Sequence, residues 1–137
     1  MLGLKLWELT EADLFYYLKA NYFRDLEFSA DHFDRIDAVT DVHKSVIELK
    51  CRRAHYPQMM IEKEKYDALI DMADRLGYKA AYLNSTPLGI YLWDITYLAI
   101  EWDTVILPAK SFGQTLTFTN KVVGYLPISQ AIPLVYR

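Results

Sequence analysis

The stretch Ser45-Val46-Ile47-Glu48-Leu49-Lys50-Cys51-Arg52 decides how this chain is read. Side chains along a strand point alternately to opposite faces. Ile47, Leu49 and Cys51 therefore share a face that packs on a core, and Val46, Glu48, Lys50 and Arg52 share the other. A carboxylate and an ammonium group stand two residues apart on one side of a strand whose reverse side is greasy. The preceding segment, Arg35–Thr40, alternates in the same way. Arg35, Asp37 and Val39 face one way, Ile36 and Ala38 the other. Asp41–Lys44 supplies a turn, so the two segments are expected to pair as a hairpin that brings Asp37 beside Glu48. Asp34, the nearest rival acid, falls on the opposite strand face from Asp37.

Working outward, Thr10 and Asp13 have the spacing of a helix cap, and a helix is expected from there to about Asn21. Leu14, Tyr17, Leu18 and Asn21 share one face of it, with Glu11 on the same stripe. Leu26–Ser29 reads as a short strand. Pro57 suits the first turn of a second helix, which carries Gln58, Glu62, Lys63 and Lys65 on its front half. Tyr66, Leu69, Ile70, Ala73 and Leu76 form its apolar stripe, and Gly77 is placed to end it. Tyr78–Leu83 and Ile90–Ile95 read as paired strands across a turn at Asn84–Gly89. Thr96–Leu107 leaves helix and strand open. Leu116–Phe118 and Lys121–Leu126 are expected to form a last hairpin across Thr119 and Asn120. The expected order is αβββαββ in an α/β or α+β domain, with a mixed sheet flanked by helices. One domain is expected over residues 1–137, with a core at about 10–95 and a tail at 96–137.

Composition narrows the classes. The 137 residues are 53% apolar and 24% charged, enough for one core and too greasy for a disordered chain. The net charge of −3 is not that of a generally basic nucleic-acid binder. It hides an asymmetry. His43 to Lys65 holds six Lys or Arg against three Glu, whereas the rest holds nine basic and fifteen acidic residues. One basic segment in an acidic chain fits the steering of a polyanion, and fits a solvated charged surface as well. A single cysteine, Cys51, excludes an intrachain disulfide and suits a reducing compartment. No signal peptide and no membrane-length apolar run is seen, so a cytoplasmic protein without membrane contact is expected. His32, His43 and His55 lack zinc-site spacing. Neither a Gly-rich phosphate loop nor a Gly-x-Ser-x-Gly elbow is present. Tyr82, Tyr91 and Trp93 alternate along strands as packing residues would.

Two carboxylates held close together repel unless a cation lies between them. Their hard oxygens suit Mg²⁺ or Mn²⁺, ions that lower the pKa of bound water and neutralise charge on a phosphodiester. Lys50 alongside can position the attacking water or stabilise the phosphate.

The set Asp37, Glu48 and Lys50, an acid on one strand and a Glu-x-Lys on the next, resembles the PD-(D/E)xK, or restriction-endonuclease-like, nuclease superfamily. Ile36 stands where that family often has a proline. The resemblance spans roughly Thr10 to Asp94. It extends to small phage-encoded members through Ile47–Arg53, Ile61–Tyr66, Tyr82–Asn84 and Tyr91–Asp94. It implies a metal-dependent endonuclease cutting DNA, branched or structured DNA included, inside a cell or a phage-infected host. It assigns Asp37 and Glu48 to the metal and a catalytic role to Lys50. A further acid on the first helix would be Glu11, for which the helix dipole is an equal explanation; Glu27 is a weaker candidate. A binding or assembly protein that keeps the fold without catalysis is the alternative.

Arg52, Arg53, Lys63 and Lys65 are the residues expected to contact phosphates, Lys65 foremost, with His55 beside them. Lys63 and Lys65 equally suit an exposed, salt-bridged helix start. Lys110 and Lys121 lie in the tail, residues 96–137, which is expected to serve dimerisation or DNA contact. A domain this small offers a short groove to duplex DNA, so a homodimer through the apolar tail is expected.

Overall fold

Thr10 opens the first helix with a reciprocal cap. Its hydroxyl accepts from the Asp13 N–H at 3.1 Å, and its own N–H donates to the Asp13 carboxylate at 3.1 Å. Both bonds satisfy donors that a helix start leaves open. Helix α1, Glu11–Asn21, then buries Leu14, Phe15 and Leu18. Glu11 is exposed in the first turn, so it does not sit on the inward stripe that its spacing suggested.

The computed structural model describes residues 5–28, 38–109 and 117–136. Within them the chain is a mixed α+β fold with two α-helices and two sheets. After α1 come β1 (Glu27–Phe28), β2 (Ala38–Thr40), β3 (Ser45–Cys51), β4 (Gln58–Glu62) and α2 (Lys63–Leu76). They are followed by β5 (Lys79–Thr86), β6 (Gly89–Asp94), β7 (Trp102–Ala109), β8 (Thr117–Pro127) and β9 (Ile132–Tyr136). The larger sheet has the order β1-β2-β3-β5-β6-β9. Its one parallel pair is β3 with β5, with α2 in the crossover that a parallel pair needs. The smaller sheet, β4-β8-β7, is antiparallel.

Alternation along β3 settles the two layers. Ile47 and Leu49 join Ala38, Ala81 and Leu83 under α1. Val46 joins Ala80, Tyr82 and Trp93 on the other face, under Leu69 and Ala73 of α2 and Met59 and Ile61 of β4. Burying a large aliphatic side chain stabilises by about 1.5–3 kcal/mol, so both layers hold the sheet firmly. Gly77 ends α2 at φ 69°, a left-handed conformation that costs glycine little.

Three expectations need correction. Gln58–Glu62 is a strand paired with β8, not the start of the second helix, which begins at Lys63. Met59 and Ile61 bury on one side while Gln58, Met60 and Glu62 turn away, a period of two. The expected order αβββαββ thus carries an extra strand before α2. β5 runs on through Asn84, Ser85 and Thr86, leaving only Pro87 and Leu88 for the turn. Thr119 and Asn120 make no hairpin; β8 is continuous because β7 pairs along it from Thr117 to Gly124. The hairpin lacks the Gly that a two-residue turn at Thr119–Asn120 would favour. The open segment 96–107 ends in strand β7.

Asp25 ties the start of this arrangement together. Its carboxylate accepts from the Thr40 hydroxyl at 2.7 Å and from the Val42 N–H at 2.9 Å, joining the loop after α1 to the turn between β2 and β3. The Thr40 bond first, then the Val42 bond, holds the carboxyl below its usual value. A depressed carboxyl stabilises the fold above the unfolded value of about 3.9 and stops doing so as pH falls through the folded value. Asp25→Ala is therefore expected to lower Tm at neutral pH, with the gap from the wild type closing as pH is lowered from 6 towards 2. Thermal melts across that range check it, and a gap of constant size counts against the assignment.

Candidate active site

Glu48 is the chemical anomaly of β3. It lies on the Val46 face and is only 3% exposed, where acids are almost never found without a partner. The crossover supplies that partner. Lys65, in the first turn of α2, places its Nζ 3.2 Å from Glu48 Oε1. The Lys65 side chain is 36% exposed against 4% for Glu48, so the pair bridges from the interior to a surface cleft.

That cleft has a volume of about 720 Å³. Lys50 and Arg52 of the β3 segment and Lys65 of α2 line one side, and Tyr82 of β5 lies at its inner end. Met60 and Glu62 of β4 contribute to it, and Leu107, Pro108, Thr119 and Lys121 of β7 and β8 complete it. Lys50, Arg52, Lys65 and Lys121 bring four positive charges against the two acids Glu48 and Glu62. A chain with net charge −3 thus sets four of its 15 Lys and Arg residues around a cleft that an anion can enter.

The inner end is fixed by hydrogen bonds. The Tyr82 hydroxyl donates to the Met60 carbonyl at 3.2 Å, and Arg52 Nη2 donates to the same oxygen at 3.3 Å. Burial pushes the Tyr82 phenol up to about 12; Arg52 opposes the shift, and Glu48 and Glu62 add to it. Tyr82 therefore stays protonated at neutral pH and serves as a donor. In the β3–β5 register Glu48 stands beside Tyr82, and Lys50 beside Asn84.

Asn84 is fully buried, and neither end of its carboxamide has a hydrogen-bond partner. Next to it along β5, Thr86 Oγ1 lies 2.8 Å from His55 Nδ1, and the His55 ring packs near Tyr91. Polar groups thus collect where β3 and β5 end.

Of the residues singled out in the sequence, Lys50, Arg52 and Lys65 line this cleft, and Glu48 lies buried behind its wall, in contact with Lys65. Asp37 and Asp34 lie outside the described residues, as does Lys110. Glu27 is exposed and pairs with Val39 at the edge of the sheet. Glu11 belongs to the layer on the other face of the sheet. Its carboxylate adds to the rise that burial causes in the Cys51 thiol. Arg53 does not line the cleft; its guanidinium donates to the Trp7 carbonyl. Lys63 pairs with Asp67 at 2.9 Å and lies over the Trp102 ring. Thr119 and Asn84 were not assigned to a site from the sequence, and Lys121 was named only for DNA contact in the tail, not beside Lys50 and Lys65. Lys121 carried the signal that Thr119, Lys121 and Val123 alternate, but its partner strands lie too far along the chain to read locally.

No protein-family model, curated protein or solved structure matches the chain. Among the described residues, no group of three or more His, Cys, Asp or Glu is placed to hold a metal ion, and no helix is long and apolar enough to cross a membrane.

A buried polar group without a partner costs about 1–3 kcal/mol. Replacing Asn84 by the similarly sized Leu is therefore expected to raise stability by an amount of that order. Denaturant titration of Asn84→Leu tests this, and a clear loss of stability contradicts it.

Proposed function

We propose that this protein is a metal-dependent endonuclease of the PD-(D/E)xK type that hydrolyses DNA phosphodiester bonds, branched or structured DNA included. The observation that carries the reading is the joint placement of Glu48 and Lys50 on one face of β3, where Lys50 lines a cleft with three further cations and Glu48 meets one of them, Lys65, from behind its wall. The sequence of α1, the meander β1–β3, the crossover α2 and the parallel strand β5 also supports it, with β4 as an addition. Ala38 pairs with Ile47. The proposal requires Asp37, the residue before Ala38, to lie beside Glu48, the residue after Ile47.

In this reading Asp37 and Glu48 would hold Mg²⁺ or Mn²⁺. Glu48 fits such a role as a hard oxygen donor held beside Tyr82 and Lys65, two residues that line the cleft. The ion supplies an acidified water and neutralises charge on the phosphodiester. Lys50 stabilises the negative charge that develops on the phosphate and orients the attacking water. Arg52, Lys65 and Lys121 hold neighbouring phosphates. Arg53 and Lys63, engaged elsewhere, contribute less. An intracellular setting and a homodimer belong to the same proposal.

One observation favours a second reading, a nucleic-acid-binding or assembly protein without catalysis. Lys65 already meets the charge of Glu48, so the buried acid does not require a metal. Two measurements separate the readings. With Mn²⁺, the wild type is expected to cut DNA, and Asp37→Asn, Glu48→Gln and Lys50→Ala to lose at least about 100-fold in rate while keeping the native circular dichroism spectrum. Full activity in all three variants ends the nuclease reading. Calorimetric titration with Mn²⁺ is expected to give binding that Glu48→Gln abolishes; absence of binding in the wild type leaves the second reading.

A further inference from the structure

From the two-walled build of the cleft we infer that its ligand is a single strand of nucleic acid, unpaired where it enters, rather than an intact duplex. The inference rests on the proposed function and narrows its substrate.

The walls come from different sheets. Lys50 and Arg52 stand on the larger sheet, with Lys65 above them on α2. Thr119 and Lys121 stand on β8 of the smaller sheet, with Leu107 on β7 opposite Thr119 in the register. Met60 and Glu62 on β4 join the two sides. The space between them, about 720 Å³, is that of a small-ligand pocket, which admits a few nucleotides of one strand. A double helix, whose major groove alone is about 12 Å wide, would rest on the rims of such a cleft, above the buried side where Tyr82 lines it.

The chemistry of the walls agrees. Positive charge comes from both sides, Lys50, Arg52 and Lys65 against Lys121, as a groove that follows one phosphate backbone requires. Apolar surface lies between the charges, from Met60, Leu107 and Pro108. In a duplex the faces of the bases are stacked on one another. In a single strand they are free to pack on such surface. Tyr125 pairs with Met60 and is 39% exposed on the same face of the smaller sheet, which extends that surface with an aromatic ring. Thr119 adds a hydroxyl donor suited to a phosphate or a sugar.

The test uses the full chain in EDTA, where binding is read without cleavage, and fluorescence anisotropy of labelled 12-mers: oligo-dT, oligo-rU and a duplex DNA of mixed sequence. Single strands are expected to bind at least about tenfold more tightly than the duplex at equal salt. The DNA and RNA arms tell which sugar is preferred, and either one supports the inference. Lys121→Gln is expected to weaken single-strand binding several-fold and to reduce the slope of log affinity against log salt by about 0.7. Lys79→Gln serves as the charge-matched control, because Lys79 faces Asp94 at 4.0 Å outside the cleft. Duplex binding equal to or tighter than single-strand binding overturns the inference and leaves the nuclease reading in place. So does an effect of Lys121→Gln no larger than that of Lys79→Gln. Failure to bind any of the three overturns the inference together with the nucleic-acid partner, and Mn²⁺-dependent cleavage, assayed separately, decides the nuclease reading.

Discussion

The contact between Glu48 and Lys65 is the constraint on which the rest of the structure turns. Removing an ion from water costs several kcal/mol even after relaxation, and a partner must be close to offset it. Here the partner is 3.2 Å away, but it comes from another element and from the far side of a crossover. It reaches Glu48 only because β3 and β5 run parallel, which forces the chain between them over one face of the sheet. α2 occupies that crossover and buries Leu69 and Ala73 against Val46, Tyr82 and Trp93. Burying Leu69, worth about 1.5–3 kcal/mol, helps to hold α2 where Lys65 can meet Glu48. The apolar layer therefore carries the polar one, and a change that loosens α2 removes the cation from Glu48.

The two faces of the larger sheet divide the work. The face under α1 is aliphatic and aromatic where Ala38, Ile47, Leu49, Ala81 and Leu83 pack together, with Lys79 and Asp94 towards its end. The face under α2 is apolar at the Val46 end and polar towards Lys50, Asn84 and Arg52. Tyr82 stands at the change. Its ring packs with Trp93 in the core, while its hydroxyl holds the Met60 carbonyl at the inner end of the cleft. That bond also fixes β4, and through β4 the whole smaller sheet, against the site. The cleft exists because a strand that precedes α2 in the chain, β4, is hydrogen-bonded to one that comes well after it, β8.

That distance explains what could be read from the sequence. The capped first helix, the alternation of β3 and the Gly77 stop of α2 are local patterns, and each was legible from residues a few positions apart. So was the shared face of Glu48 and Lys50. The strand at Gln58–Glu62 was not, because Pro57 and the run of charged residues after it read as a helix start, and the deciding partner, Met59 with Leu126, is remote. β8 failed for the same reason, its Thr and Asn residues reading as a turn until β7 is laid beside them. Asn84, Ser85 and Thr86 looked like loop residues by composition, yet they lie fully buried in a central strand. Lys121 entered the cleft through that same remote pairing. Glu11 had the right spacing for an inward acid, but the end of a helix is open to water, and there the dipole and solvent hold it outside.

Charge gives these pieces a common logic. Behind the cleft wall, Glu48 meets the ammonium group of Lys65, and Lys50 and Arg52 follow it along the chain. An anion entering the cleft meets positive charge on both walls, while the buried acid behind them opposes it unless its own charge is met. Lys65 does this in the protein alone. On the proposed reading a divalent ion at Glu48 would take over that task and release the ammonium of Lys65 towards the cleft, where a phosphate can accept it. Metal and phosphate would then favour one another's binding, since each stabilises the arrangement in which Lys65 has left Glu48, and such coupling between two ligands is reciprocal. The partly exposed position of Lys65 suits this exchange, because an ammonium group already in contact with water moves between partners at a smaller desolvation cost than a fully buried one.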